Sequence, residues 1–164
     1  MKALSKSRFK QGLECPNKLY FSNNKQVFHN VKNEDPFLQA LASGGFQVEE
    51  YARLQYPGGV LIEDPEDREN YDYQDLANQT SELLKQENVV IYEAAFYIDD
   101  LFIRTDVLVK KGTHIQLIEV KAKSLDPSEA HNFVGKSKKL VSSWKPYLFD
   151  LAFQTYVTQR CLPS

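Results

Sequence analysis

Cysteine, methionine, tryptophan and histidine are all scarce in this chain: two, one, one and three of them among 164 residues. Cys15 and Cys161 lie far apart and match no four-ligand zinc pattern. They read as free thiols in a reducing compartment. His29, His114 and His131 form no cluster at ligand spacing, so each reads as a surface or loop residue rather than a metal ligand. No run approaches the roughly 18 apolar residues of a membrane span, and the basic opening MKALSKSRFKQ lacks the apolar core of a signal peptide. A cytoplasmic protein with no membrane partner is therefore expected. Also missing are a phosphate-cradling GxxxxGK, a zinc-binding HExxH and a GxSxG nucleophile turn. With no internal repeat, low-complexity tract or linker either, the expectation is one domain over 1–164.

Apolar residues make up 42% of the chain and aromatics 12%, enough for a proper core. The net charge of −2 does not by itself suggest nucleic acid, but its distribution is uneven. Lys2, Lys6, Arg8, Lys10, Lys18 and Lys25 face a single early acid, Glu14, and a second basic group holds Lys136, Lys138, Lys139 and Lys145. Between them IEDPEDRENYDYQD is strongly acidic and reads as a solvated loop. The basic ends would form one positive face when folded, or remain an ordinary solvated surface.

Local signals place the elements. Ser5 is a candidate cap for a helix running to Glu14, which Pro16 would end. Asp35-Pro36 opens a second helical stretch that Gly44-Gly45 interrupts and Pro57-Gly58-Gly59 closes. DLANQTSELLKQE reads as a helix, as does KPYLFDLAFQTYVTQRC from near Pro146. Between these two the period changes. Residues 89–98, 101–110 and 114–123 are rich in β-branched and aromatic residues and are separated by Asp99-Asp100 and Lys111-Gly112-Thr113, which predicts a β-meander. The fold class expected is α/β (α+β), a mixed sheet flanked by helices.

The meander carries charges where a strand core expects none. Glu119 and Lys121 in IEVKAKS alternate onto one face, Asp106 sits amid Ile103, Val107, Leu108 and Val109, and Glu93 interrupts Val89, Val90, Ile91 and Phe96. Cross-strand neighbours lie about 5 Å apart, so an aligned register would bring three carboxylates and an ammonium to one patch. Clustered carboxylates suit a hard divalent cation, Mg2+ or Mn2+. Asp106, Glu119 and the Val120 carbonyl would be its ligands, activating water and polarising a phosphoryl oxygen, with Lys121 beside them. The alternative is a solvated sheet face with ordinary cross-strand salt bridges.

This order of strands and residues resembles the PD-(D/E)XK nuclease superfamily, within it the RecB-like and CRISPR-associated RecB-like exonucleases. The matching words are EAAF at 93–96, RTDVLV at 104–109, IEVKAKS at 118–124 and DLAFQTY at 150–156, with the opening LSKSRFKQGLECPNKLYF. More narrowly the combination is similar to the N-terminal nuclease-like domain of large bacterial proteins in which a further domain follows. The resemblance implies a restriction-endonuclease-like fold, metal ligation by Asp106 and Glu119, a catalytic Lys121 and an accessory acid at Glu93. It makes Gln154 the glutamine that contacts the active centre or DNA. Thr105 stands where the superfamily name has proline. Thr158 stands where the glutamine motif ends in tyrosine, with Tyr156 the nearest one. Where many relatives carry a histidine, GGFQVEEYAR offers Gln47, Glu49 or Glu50. Some relatives hold an iron–sulfur cluster on four cysteines; with only Cys15 and Cys161, no complete cluster is expected within this chain.

Lys123, Lys136, Lys138 and Lys139 follow the catalytic strand and would line a phosphate track, or form a solvated face. Trp144, Tyr147 and Phe149 would stack on bases, or pack in the core. The function expected is a metal-dependent nuclease acting on phosphodiester bonds, with DNA as the expected substrate. The alternative is a catalytically weak or inactive nucleic-acid-binding or assembly module of the same fold in a larger protein. A third expectation is a fragment active only with a C-terminal partner domain.

Overall fold

The computed structural model describes residues 3–28, 35–63, 72–123, 133–135 and 138–162. His29, His131, Lys136 and residues 64–71 of the acidic stretch lie outside them. In chain order the elements are β1 (Leu4–Ser5), α1 (Lys6–Glu14), α2 (Pro16–Asn23), α3 (Pro36–Leu54), β2 (Val60–Leu61), α4 (Tyr73–Leu83), β3 (Asn88–Ile98), β4 (Leu101–Lys111), β5 (His114–Ile118) and α5 (Lys145–Cys161). They make a mixed five-stranded sheet flanked by helices, an α+β architecture.

The expected meander forms its centre. β3 and β4 pair antiparallel from Asn88↔Lys111 to Ile98↔Leu101, and β5 returns along the other side of β4 from Lys111↔His114 to Val107↔Ile118. Asp99 and Asp100 have φ of 48° and 59°, the left-handed pair that a two-residue hairpin turn needs. The short β2 lies parallel to β3. Gly59 precedes it because the Tyr92 ring lies against its Cα and a Cβ there would overlap the ring. β1 lies parallel to the start of β4, at Leu4↔Leu101 and Ser5↔Phe102.

Several boundaries differ from the sequence expectation. Ser5 caps α1, its hydroxyl accepting from Arg8 N, and α1 ends at Glu14 as expected; what the sequence did not indicate is that Pro16 also opens a second helix. Proline suits a first helical turn, where its missing N–H is no loss. α3 runs unbroken through Gly44-Gly45. The third strand was expected to reach 123, yet β5 ends at Ile118. The reason lies in the site described below: Asp106 takes the amide of Val120.

The core lies between the sheet and α4 and α5. Ile91, Ile103, Leu108 and Val157 are fully buried, with Phe153 and Leu76 beside them, each contributing roughly 1.5–3 kcal/mol of apolar burial. α4 docks through Thr80, whose hydroxyl donates to Leu76 O at 3.3 Å and accepts from Ala95 N at 2.8 Å. Lys110 ties down the end of that helix by donating to Leu84 O and Gln86 O at 2.7 and 2.6 Å. α1 meets α5 through stacked rings, Phe9 on Phe153, with centroids 4.3 Å apart. No helix among the described residues is long and apolar enough to cross a membrane.

Candidate active site

β1 and β5 run toward each other along the same edge of β4. β1 covers Leu101 and Phe102, β5 covers Val107 to Lys111, and residues 103–106 lie in the gap. The residues that leave the two strands, Lys6 and Glu119, therefore arrive together at Asp106. The Lys6 ammonium lies 3.2 Å from Asp106 Oδ1 and 3.3 and 3.2 Å from the two Glu119 oxygens. Val120 N donates to Asp106 Oδ2 at 2.6 Å. The side chain of Asp106 thus stands in for a ladder acceptor, and the chain leaves the sheet at Glu119.

α5 closes the patch from one side. Its buried positions Asp150, Phe153, Gln154, Val157 and Thr158 fall at i, i+3, i+4, i+7 and i+8, the spacing of one helix face. Three of those five are polar. Gln154 Nε2 donates to Glu119 Oε2 at 2.6 Å and to Asp150 Oδ1 at 3.2 Å. Asp150, with no exposed side-chain surface, faces Lys121 at 3.4 Å and Lys10 at 3.5 Å through Oδ2, an oxygen that makes no hydrogen bond among the described residues. Lys121 also donates to Glu119 Oε1. Thr158 is buried, and Tyr156 lies exposed with its hydroxyl accepting from Arg160 at 2.9 Å.

Glu93 stands opposite Asp106 in the β3–β4 register, between the pairs Tyr92↔Val107 and Ala94↔Thr105. Its φ of 58° is left-handed and interrupts the ladder at that one step, a strained conformation for a residue with a long side chain. Its carboxylate faces Arg53 Nη2 and Arg104 Nε, each at 3.4 Å. Glu93, Asp106, Lys6, Arg53, Arg104 and the half-buried Glu49 line a cavity of about 530 Å3. Of the three residues offered in place of a histidine, Gln47 and Glu50 are exposed and only Glu49 reaches the cavity.

The charges divide unequally. Burial pushes Asp106 up, helped by the charge of Glu119, against the opposing pull of Lys6 and the Val120 amide. Burial also acts on Glu119, but Lys6, Lys121 and Gln154 outweigh it and hold that carboxyl below the usual range. Glu49 and Glu93 are both raised, chiefly by burial. Burial would lower Lys6 and Lys121, yet the surrounding carboxylates outweigh it and keep both ammoniums protonated above the ordinary lysine value.

Asp106, Glu119, Lys121 and Gln154 are thus brought together, and Glu93 shares the cavity with Asp106. Val120 contributes its amide to Asp106. Lys123 lies apart from them, its ammonium 3.8 Å from the Trp144 ring centre and 4.8 Å from that of Tyr147. Lys139 is exposed in a short turn where Val134 bridges Leu140. The aromatics expected to stack or pack are half-buried at Trp144 and Tyr147 and exposed at Phe149. Cys15 and Cys161 are free, and His114 is exposed at the β5 start. Lys6, Lys10, Arg53, Arg104 and Asp150 were not singled out as site residues. The polar i, i+4 pair Asp150/Gln154 on an otherwise apolar helix face was the available signal for the last of these.

Among the described residues no three carboxylate, imidazole or thiol side chains form a closed metal centre. The donor set nevertheless fits a hard cation: oxygens of Asp106 and Glu119 converge on a single cationic nitrogen. Comparison of the chain with family models, with curated proteins and with solved structures returned no match.

Proposed function

We propose that this chain is a metal-dependent nuclease domain hydrolysing phosphodiester bonds in DNA, with a restriction-endonuclease-like sheet and Asp106, Glu119 and Lys121 as its reacting centre. One observation carries the reading. Two buried carboxylates, Asp106 on β4 and Glu119 just past the end of β5, meet on a common cation point, with a protonated lysine held beside them at the gap in the sheet edge. Isolated charges cost several kcal/mol, roughly, to bury, so their gathering at one point supports a bound cation.

Asp106 and Glu119 would hold Mg2+ or Mn2+. The ion would supply Lewis acidity and acidify a water molecule. The chain's own groups do the rest. Gln154 fixes one Glu119 oxygen and leaves the carboxylate a single orientation. Lys121, kept protonated and positioned by Glu119 and Asp150, donates to the phosphoryl oxygens as charge grows on them, an electrostatic role of the kind that costs about 10²–10³ in rate when removed. Arg53 and Arg104, both paired with Glu93, stand in the cavity wall among its carboxylates, where a phosphate would compete for them. Lys123 with Trp144 and Tyr147 forms a cationic, aromatic ledge that suits a base and its phosphate.

The second reading, a binding module with little activity, is favoured by one contact: Lys6 already neutralises the two carboxylates. End-labelled single- and double-stranded DNA incubated with MgCl2 or MnCl2 separates the two. The nuclease reading expects cleavage that EDTA abolishes and that Lys121→Ala reduces by roughly 10² or more. A gel shift with no cleavage by a folded wild-type chain would establish the binding module instead.

A further inference from the structure

Lys6 is the first residue of α1, and its backbone is fixed on both sides. β1 pairs with β4 immediately before it, Leu4 N donates to Asp100 O at 2.7 Å, and Ser5 caps the helix. Only its flexible four-carbon stem is free to choose a place for the ammonium. It places it against three carboxylate oxygens of Asp106 and Glu119, at 3.2–3.3 Å. Magnesium would need oxygens of the same two side chains at about 2.0–2.1 Å. Lys6 bridges oxygens of both carboxylates, where an ion shared by the two would sit, so the ammonium and the ion compete for one place; Lys121 touches Glu119 alone of the pair.

We propose that Lys6 is a built-in counter-ion of the Asp106–Glu119 pair and that a divalent cation binds only by displacing it. This rests on the reading of that pair as a metal site. Without metal, Lys6 keeps two buried carboxylates from repelling one another and so holds the end of β5 against β4. With metal, the stem swings into the adjoining cavity, which Lys6 already lines and where Glu49 and Glu93 offer it other carboxylates. Metal affinity is thereby lowered by the free energy of the Lys6 contacts. Lys10 supplies the contrast: its ammonium meets Asp150 and neither of the two proposed ligands.

The test uses the whole chain with MnCl2 and no substrate. Calorimetric titration and thermal melts in EDTA and in MnCl2 are compared for wild type, Lys6→Met, Lys6→Gln and Lys10→Met, with circular dichroism confirming the fold. Lys6→Met and Lys6→Gln are expected to melt lower in EDTA and to bind Mn2+ about tenfold more tightly, equal to about 1.4 kcal/mol. Lys10→Met, which removes a charge without emptying the seat, should change affinity by no more than roughly twofold under physiological screening. Folded Lys6 variants that bind Mn2+ no better than wild type would overturn the displacement while leaving the metal site intact, as would Lys10→Met matching them. Absence of Mn2+ binding by wild type and Lys6 variants alike would overturn both the displacement and the metal-site reading beneath it.

Discussion

Asp150 offers a stringent test of how the site is held. Its side chain has no exposed surface and faces two ammoniums and the Gln154 amide, while Lys10 and Lys121 keep 40% and 30% of theirs exposed. Removing one partner of a buried ion pair costs about 3–5 kcal/mol, because the other is left charged and dry. Here the stranded partners can rehydrate, so the estimate for Asp150→Ala falls to about 1–3 kcal/mol. At about 2–4 °C per kcal/mol for a chain of this size, this lowers the melting temperature by about 2–12 °C. Urea unfolding followed by circular dichroism, with Lys10→Met and the double variant completing a cycle, measures it. The cycle should give a coupling of roughly 0.5–3 kcal/mol between the two residues. Under the proposed nuclease reading, Asp150→Ala should also slow cleavage, since Lys121 loses one of its two anchors. A variant melting within about 1 °C of wild type, with no coupling to Lys10, would refute the view that this carboxylate carries the packing of α5 against the site.

Further expectations concern the sheet and its acids. Thr80→Val should cost about 1–3 kcal/mol in urea denaturation, because the Ala95 amide loses its buried acceptor and no water can replace it. Glu93→Gln should melt above wild type at pH 8, with the gap closing toward pH 4. The Glu93 carboxyl is raised above its ordinary value of 4.5, chiefly by burial, so its contribution to stability is present below that value and is lost as pH rises through the raised one. A gap that widens on acidification would show that Arg53 and Arg104 outweigh burial at this position.

Much of this arrangement was legible in the residues themselves. The β-branched runs and the Asp-Asp turn announced the meander, and register pairing did align Glu93 with Asp106. Glu119 and Lys121 do meet, although they lie past the end of β5 and not on the strand whose alternation suggested it. The strand's end at Ile118 was not legible, because a run as apolar as IQLIEV reads as strand to its last residue. Only the tertiary approach of Asp106 diverts the Val120 amide from the ladder. Lys6 and Asp150 were hidden for a related reason. The importance of Lys6 comes from partners 100 and more residues away, which local periodicity does not encode, while for Asp150 helical spacing marks the buried face but not the two ammoniums that meet it. The continuity of α3 through Gly44-Gly45 shows propensity yielding to the rest of a long helix: each glycine costs only about 1 kcal/mol relative to alanine.

The gap along β4 also bears on how the molecule avoids its own kind. A bare stretch of strand edge is a template on which another chain can add a strand, and such edges seed aggregates. In this sheet β1 and β5 together cover most of that edge, and the remaining opening is filled by Lys6, Asp106 and Glu119. An incoming strand would have to strip these charges of their partners before it could pair. The charges proposed to cut a nucleic-acid backbone would then have a second duty, keeping this edge of the sheet from growing.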